Sequence, residues 1–190
     1  MHELTDHELY QALSYAKSLD EDAGRTIIEQ FYLEQTALAE TLFELFPSVI
    51  AEENEAMAHC FMDLCFEVLC VYQNAFGPLP SQQELPLDWL DKQVMLLDVE
   101  LQALIQEKAM DDRIRSKLQD RLLQRALQET MQLGLVNFMN AAIDDYASEN
   151  SSRVPAIKTT QTMIFVAIRL FNHLYHQAKS VNPQAQHQSG

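Results

Sequence analysis

Apolar residues recur at spacings of three, four and seven through most of this chain. This period matches the 3.6-residue turn of an amphipathic helix and not the strict alternation of a half-buried strand. Four Gly and six Pro among 190 residues leave little material for the many tight turns of an all-β fold. The sequence therefore predicts an all-α fold. We expect a single-domain bundle of about six helices over residues 1–181, followed by a disordered tail over 182–190.

Capping residues mark the boundaries of the first helices. Thr5 and Glu8 have the spacing of a capping box, which predicts a first helix directly after Thr5. An acidic cluster then begins a second helix, whose apolar spacing continues to Phe46. Pro47 suits the first turn of a third helix, and Gly77 ends it.

Longer helices are predicted in the second half of the chain. A fourth helix begins near Leu87, residues 109–112 break or kink it, and a fifth runs over about 112–147. Such a helix would be about 54 Å long, which exceeds a compact domain with a radius of gyration of about 16 Å. It should bend, most readily at Gly134, protrude, or be covered by a second subunit, which favours a homodimer. The middle of a last helix, about 159–180, is apolar all round, so this helix should be central.

Negative charge is concentrated in one half of the chain. Residues 1–91 hold 18 acidic and two basic residues, whereas residues 92–190 hold ten acidic and 11 basic ones. Between Thr26 and Asp91 there are 12 acidic residues and no Lys or Arg. This charge argues against nucleic acid and anionic membranes as partners and predicts a docking surface for a protein with a basic face. Two alternatives stay open: ordinary solvated helix faces, or neutralisation by the basic residues of 108–125 from the same or another subunit.

Four residues are the candidate contacts for a partner. Glu52, Glu53 and Glu55 follow Pro47 near the start of the predicted third helix, where the helix dipole favours negative charge, within the stretch that has no base. Trp89 follows a Pro-rich loop, where an aromatic side chain can anchor either the loop or a partner.

A divalent-metal site is the alternative interpretation of the third helix. Spacings of three, four and four stack metal-binding side chains along one face, and two histidines of the last helix offer further ligands. The set consists of Glu52, Glu55, His59, Asp63, His173 and His176. It would make the chain a carboxylate–histidine metal protein, with hydrolysis as one activity. The same row is otherwise the solvent face of an amphipathic helix, and the chain holds no HExxH or Glu-x-x-His pair.

Cysteine spacing and the N-terminus indicate a reduced, cytoplasmic protein. Cys60, Cys65 and Cys70 are five residues apart, so on a helix they point in different directions and cannot bridge one another. The N-terminus has neither the basic residues nor the apolar run of a targeting signal, and no apolar run is long enough to span a membrane.

The leading hypothesis is thus a non-enzymatic interaction or adaptor module, homodimeric, cytoplasmic and without a cofactor. The metal protein is the first alternative. The second is a small-ligand sensor with a pocket between helices, lined by aromatic residues that otherwise fill the core.

Overall fold

A computed structural model describes residues 1–85, residue 89 and residues 132–181. The chain separates into two compact units, Met1–Leu85 with Gln132–Gly190 and Pro86–Met131. The first unit contains every described residue except Trp89. The fourth predicted helix, the basic stretch of 108–125 and the predicted tail lie outside the described residues, and the single-domain organisation stays a prediction.

The all-α prediction is confirmed, and no strand occurs in the described ranges. The helices are α1 (Asp6–Ser18), α2 (Glu21–Glu34), α3 (Thr36–Glu40), α4 (Phe46–Ala51), α5 (Glu55–Phe76), α6 (Leu133–Ser148) and α7 (Ile157–Val181). A π-helical turn, Thr41–Leu45, joins α3 to α4, and 3₁₀ turns cover Gln82–Glu84 and Ser151–Ala156. Helix α5 packs against α1, α4, α6 and α7, while α7 packs against α4, α5 and α6. The core of this unit therefore lies between α5 and α7.

The first helix begins as the capping box predicts. The Thr5 hydroxyl accepts from the Glu8 amide at 3.3 Å, and the Thr5 amide donates to the Glu8 carboxylate at 2.8 Å. Hydrogen bonds from the Thr5 backbone and hydroxyl, together with the His2 ring, lower the pKa of Glu8 to about 2. Leu9 and Leu13 lie on the buried face of α1, which packs on α5.

The second predicted helix is interrupted, because the chain leaves helical geometry at Gln35 before it continues as α3 and the π turn. This residue has φ −143° and ψ 55°. Its buried side chain donates from Nε2 to the Pro80 carbonyl at 2.6 Å. Glutamine is a good helix former, so its own propensity predicts a continuous helix. A hydrogen bond to a residue 45 positions away accompanies the break instead.

Pro47 lies in the first turn of a helix, α4, as predicted, but this helix ends at Ala51 and follows the π turn without a break. Proline has no amide hydrogen, and its ring would crowd the carbonyl four residues earlier in a regular α-helix. The π turn directly before it relieves this crowding, since the Phe46 amide donates to the carbonyl of Thr41, five residues back. A π turn takes one extra residue. The buried side chains are consequently four apart: Leu38, Leu42, Phe46 and Ile50. Leu45, which the regular period puts on the buried face, is 56% exposed.

Helix α5 begins at Glu55, eight residues after Pro47. The Asn54 side chain caps it by accepting from the Met57 amide at 3.0 Å. The predicted end is confirmed, because Gly77 follows the helix with a φ of 97° that favours glycine.

A continuous helix over 112–147 is contradicted by Gln132. This residue has φ −72° and ψ 71°, and α6 begins only at Leu133. The buried Gln132 side chain accepts from the Leu4 amide and donates to the His2 carbonyl, both at 2.8 Å. Gly134 lies beyond this break, within the first turn of α6. With 16 residues, α6 is about 24 Å long, so helix length no longer argues for a second subunit.

Candidate acidic interaction surface

Most acidic side chains of the first 85 residues lie at the surface. The exposed ones are Glu3, Asp6, Asp20, Glu21, Asp22, Glu29, Glu40, Glu44, Glu52, Glu53, Glu55 and Asp63. The two bases of this stretch lie on the first two helices. Arg25 pairs with Glu21 at 3.0 Å, and the Lys17 ammonium lies over the Phe138 ring, 5.4 Å from its centroid. From Thr26 onward the segment has no base of its own to offset its carboxylates.

The candidate docking residues lie together at one turn, which we call the acidic turn (Glu52, Glu53, Asn54 and Glu55). Glu52 follows the last residue of α4, and Glu55 is the first residue of α5. All three carboxylates are exposed. The structure thus places the three predicted residues between the end of α4 and the first residue of α5 and not near the start of one continuous helix.

The acidic turn is fixed against the first turn of α7 and the 3₁₀ turn that precedes it. Thr159 donates from its hydroxyl to the Glu53 carboxylate at 3.0 Å. Asn54 donates from Nδ2 to the Ser152 carbonyl at 3.1 Å. Because these bonds join residues about 100 positions apart in sequence, the carboxylates have a defined position on the folded unit.

Trp89, the other candidate contact, is only 4% exposed. Its indole nitrogen is also buried and has no hydrogen-bond partner among the residues that the structure describes. The side chain is therefore not a surface residue in this conformation.

The structure does not assemble the candidate metal ligands. Glu52 precedes α5, so it does not belong to the row that Glu55, His59 and Asp63 form along the exposed side of that helix. Across residues 1–85 and 132–181, no three His, Cys, Asp or Glu side chains approach one another closely enough to hold a metal ion. His173 and His176 of α7 are part of that search. The row on α5 is a solvent-facing side of the helix.

The three cysteines are free, as their spacing predicts. Burial raises the pKa of Cys60 to about 11 and that of Cys70 to about 12, and it raises the pKa of the fully buried Cys65 further. Nearby carboxylates, Asp63 and Glu67, add to the effect at Cys60. A thiol must lose its proton to become a nucleophile or a metal ligand. These side chains are therefore protonated and unreactive near neutral pH.

Aromatic side chains between α5 and α7 contact one another and fill the core. Tyr72 stacks on Phe171 with ring centroids 5.3 Å apart, and Tyr175 lies 5.6 Å from Tyr72. Both phenols donate to backbone carbonyls, Tyr72 to Ile168 at 3.1 Å and Tyr175 to Gly77 at 2.9 Å. These hydrogen bonds satisfy the polar ends of two buried rings. Of the two roles that the sequence allows for these aromatics, packing is the one that this geometry describes.

Sequence patterns did not predict the most exposed apolar side chain, Leu33, which is 83% exposed. It lies at the end of α2, close to the π turn that exposes Leu45. The Tyr32 hydroxyl joins these two elements by donating to the Glu44 carboxylate at 3.2 Å. Partial burial, followed by the influence of Glu44 and Glu40, raises the pKa of Tyr32. Pro47 within the apolar helical period indicates an irregularity near it, but it does not predict the extra residue of the π turn that exposes Leu45.

Among the described helices, none combines the length and the apolar character needed to cross a lipid bilayer. A scan against protein-family models, a search of curated proteins and a search of solved structures found no match to this chain.

Proposed function

We propose that this chain is a non-enzymatic adaptor of the cytoplasm that binds a protein with a basic face through its acid-rich first 85 residues. The observation that supports this proposal best is the exposure of the 12 acidic side chains named above. Seven of these residues, from Glu29 to Asp63, lie in residues 26–85, a segment that contains no Lys or Arg to offset them.

Unbalanced charge of this kind has a physical cost and a physical use. Carboxylates that share a surface repel one another and destabilise the compact state. A basic partner relieves that repulsion on binding, and the complementary potentials raise the rate of association. At physiological salt the attraction is screened beyond about 8 Å, so it acts mainly near contact. We therefore expect binding that weakens as ionic strength rises.

One class of enzyme, in which a cysteine is the nucleophile, is disfavoured by the state of the thiols. Cys60, Cys65 and Cys70 have raised pKa values because they are buried, which disfavours the thiolate that nucleophilic catalysis needs.

Self-association is a separate part of the proposal. A homodimer held by opposite charges on two copies would dissociate at high salt. Sedimentation of the full chain at low and high ionic strength tests this, and a monomer mass under both conditions would contradict it.

The docking proposal is tested by reversing charge at the acidic turn. Full-length chain carrying Glu52→Lys, Glu53→Lys and Glu55→Lys is immobilised beside the unchanged chain, and the proteins that each retains from a lysate of the native cell are quantified. A control variant carries Asp144→Lys, Asp145→Lys and Glu149→Lys, which are also exposed and change the net charge equally. We expect basic partners to be lost with the first variant and kept with the control. Equal retention by all three chains would refute the proposal.

A further inference from the structure

The first four residues of the chain, which we call the N-terminal segment, are bonded to the residue directly before helix α6. Gln132 accepts from the Leu4 amide through its side-chain oxygen and donates from Nε2 to the His2 carbonyl, both at 2.8 Å. Gln132 is 1% exposed and Leu4 is 7% exposed. A single buried side-chain amide thus bonds two backbone groups of a segment about 130 positions away in the sequence.

Two further contacts fix the position of the N-terminal segment. The His2 ring lies edge-on to the ring of Phe76, the last residue of α5, with centroids 5.9 Å apart. The Nε2 atom of His2 also lies 3.1 Å from the carboxylate of Glu8, in the first turn of α1. The segment therefore contacts α1, α5 and the residue before α6, while Leu4 is its one buried residue.

Neither helix propensity nor capping explains the backbone conformation of Gln132. Its ψ of 71° lies far from the helical value of about −42°, although glutamine is a good helix former and the apolar spacing over 112–147 predicts a helix through it. The residue before a helix often caps it, as Asn54 does for α5, but the Gln132 side chain makes no such bond to α6. Among the described residues, the side-chain bonds that accompany the break are those to the N-terminal segment.

The bonds to the N-terminal segment compete with a helical backbone at Gln132. The angle ψ sets the direction of the Cα–Cβ bond relative to the helix that follows, so rotation to the helical value turns the side-chain amide away from Leu4 and His2. The same rotation lets α6 continue toward its N-terminus, and the amides of Leu133 and Gly134 then bond to the carbonyls four residues before each. Gln132 therefore has two arrangements, one with its side chain bound and one with its backbone helical.

We infer that the N-terminal segment is a latch that keeps helix α6 from continuing through Gln132. While the segment is bound, the helix begins at Leu133; when the segment leaves, Gln132 becomes helical and α6 lengthens toward its N-terminus. Gln132 is the first residue of its compact unit after the stretch Pro86–Met131. A partner that took up the first four residues would thus change the backbone at the boundary between the two units along the chain. The latch depends on neither the acidic turn nor the proposed docking.

Hydrogen exchange of the full-length chain tests the latch at the first amides of α6. Leu4→Asp removes the segment from its position, because a carboxylate is costly to bury. Gln132→Ala removes both side-chain bonds and keeps a strong helix former at the break. In both variants the amides of Leu133, Gly134 and Leu135 should exchange roughly fivefold more slowly than in the unchanged chain, since each gains a backbone hydrogen bond.

Two control variants make the same kinds of change at exposed positions of α1. Tyr10→Asp adds the same charge as Leu4→Asp, and Gln11→Ala removes a glutamine side chain that is exposed. Tyr10 is 71% exposed. Both controls should leave exchange at the start of α6 unchanged. Circular dichroism of each variant confirms that the fold is kept, and Leu4→Ser replaces Leu4→Asp if the aspartate prevents folding.

The direction of the change distinguishes a latch from a merely structural contact. If the segment only stabilises the unit, its loss loosens the start of α6 and the three amides exchange faster. This result, or no change, would overturn the inference. Slower exchange in Gln132→Ala but not in Leu4→Asp would overturn it as well, because the glutamine and not the segment would then control the break. Slower exchange in both variants, or in Leu4→Asp alone, supports the latch.

Discussion

Helices α7 and α2 differ in how far their apolar residues are buried. In α7, Met163, Ile164, Ala167 and Phe171 are buried, because the helix packs against α4, α5 and α6. In α2, Phe31 is the one buried residue. Both helices are amphipathic in sequence, so apolar content alone does not distinguish the helix that holds the fold together from one that can offer a surface. The number of helices packed around each one makes the difference.

The stability of the described unit should therefore reside between α5 and α7, and the α2 side should be available for contact. Free energy of unfolding measured on variants tests this division directly. Substitutions in the core should cost several kcal/mol, substitutions at polar links should cost less, and substitutions on the exposed side of α2 should cost almost nothing.

The largest effect is expected for Phe171→Ala. The ring is fully buried and lies 5.3 Å from Tyr72 and 5.8 Å from Phe31, between centroids. Removing it leaves a cavity, so the free energy of unfolding should fall by about 3–5 kcal/mol. Urea denaturation followed by circular dichroism measures it. A loss below about 1 kcal/mol would mean that α7 is not the centre of the core.

A smaller loss is expected for Gln132→Leu, which tests a polar link at the edge of the unit. The side chain bonds the Leu4 amide and the His2 carbonyl. Leucine has a similar volume but leaves the buried Leu4 amide without its acceptor, so we expect a loss of about 1–3 kcal/mol. Hydrogen exchange at Leu4 should also accelerate. The exposed Gln11 gives the control, Gln11→Leu, which should change neither quantity.

Glu67→Gln should produce a small gain in thermal stability that depends on pH. Burial raises the pKa of Glu67, opposed in part by Lys17 and assisted by Asp63. A carboxyl with a raised pKa in the folded state contributes stability below its unfolded pKa of about 4.3 and loses it as pH rises through the folded pKa. Glutamine stays neutral, so the variant should melt about 1–2 °C above the unchanged chain at pH 7.

The difference in melting temperature between Glu67→Gln and the unchanged chain should vanish near pH 4, because the Glu67 carboxyl is protonated there and is then neutral, as glutamine is. Thermal melts from pH 4 to pH 8 measure it. Glu29→Gln, at an exposed position of α2, is the control and should show no such gain. A gain for Glu67→Gln that is constant over this range would show that its charge is not the cause.

Short-range sequence patterns predicted the elements that depend on interactions between residues close in sequence. The capping box at Thr5, the end at Gly77 and the apolar faces of α5 and α7 depend on residues close in sequence. The breaks at Gln35 and Gln132 do not, because each glutamine bonds to backbone groups far away, at Pro80 and in the first four residues. Nothing in the helix propensity of glutamine indicates such a partner.

The candidate surface likewise has features that the sequence predicts and features that it does not. The exposure of the acidic residues follows from the cost of burying charge, so it could be predicted from the sequence. The exposure of Leu45 could not, because it depends on the extra residue that the π turn takes before Pro47. The candidate metal ligands do not form one row for a related reason: Asn54 caps α5 after Glu52, so Glu52 lies outside the row that regular spacing predicts.

The smallest effect is expected for Leu33→Ala, and it tests the comparison most directly when paired with Leu174→Ala. Both changes remove the same atoms, but Leu174 of α7 is fully buried and Leu33 is 83% exposed. Leu174→Ala should cost about 2–5 kcal/mol because a cavity remains, whereas Leu33→Ala should change stability by less than about 0.5 kcal/mol. Urea denaturation measures both. A cost for Leu33→Ala that approached that of Leu174→Ala would mean that the side chain is covered in solution, and the division between a stabilising core and an available surface would then be lost.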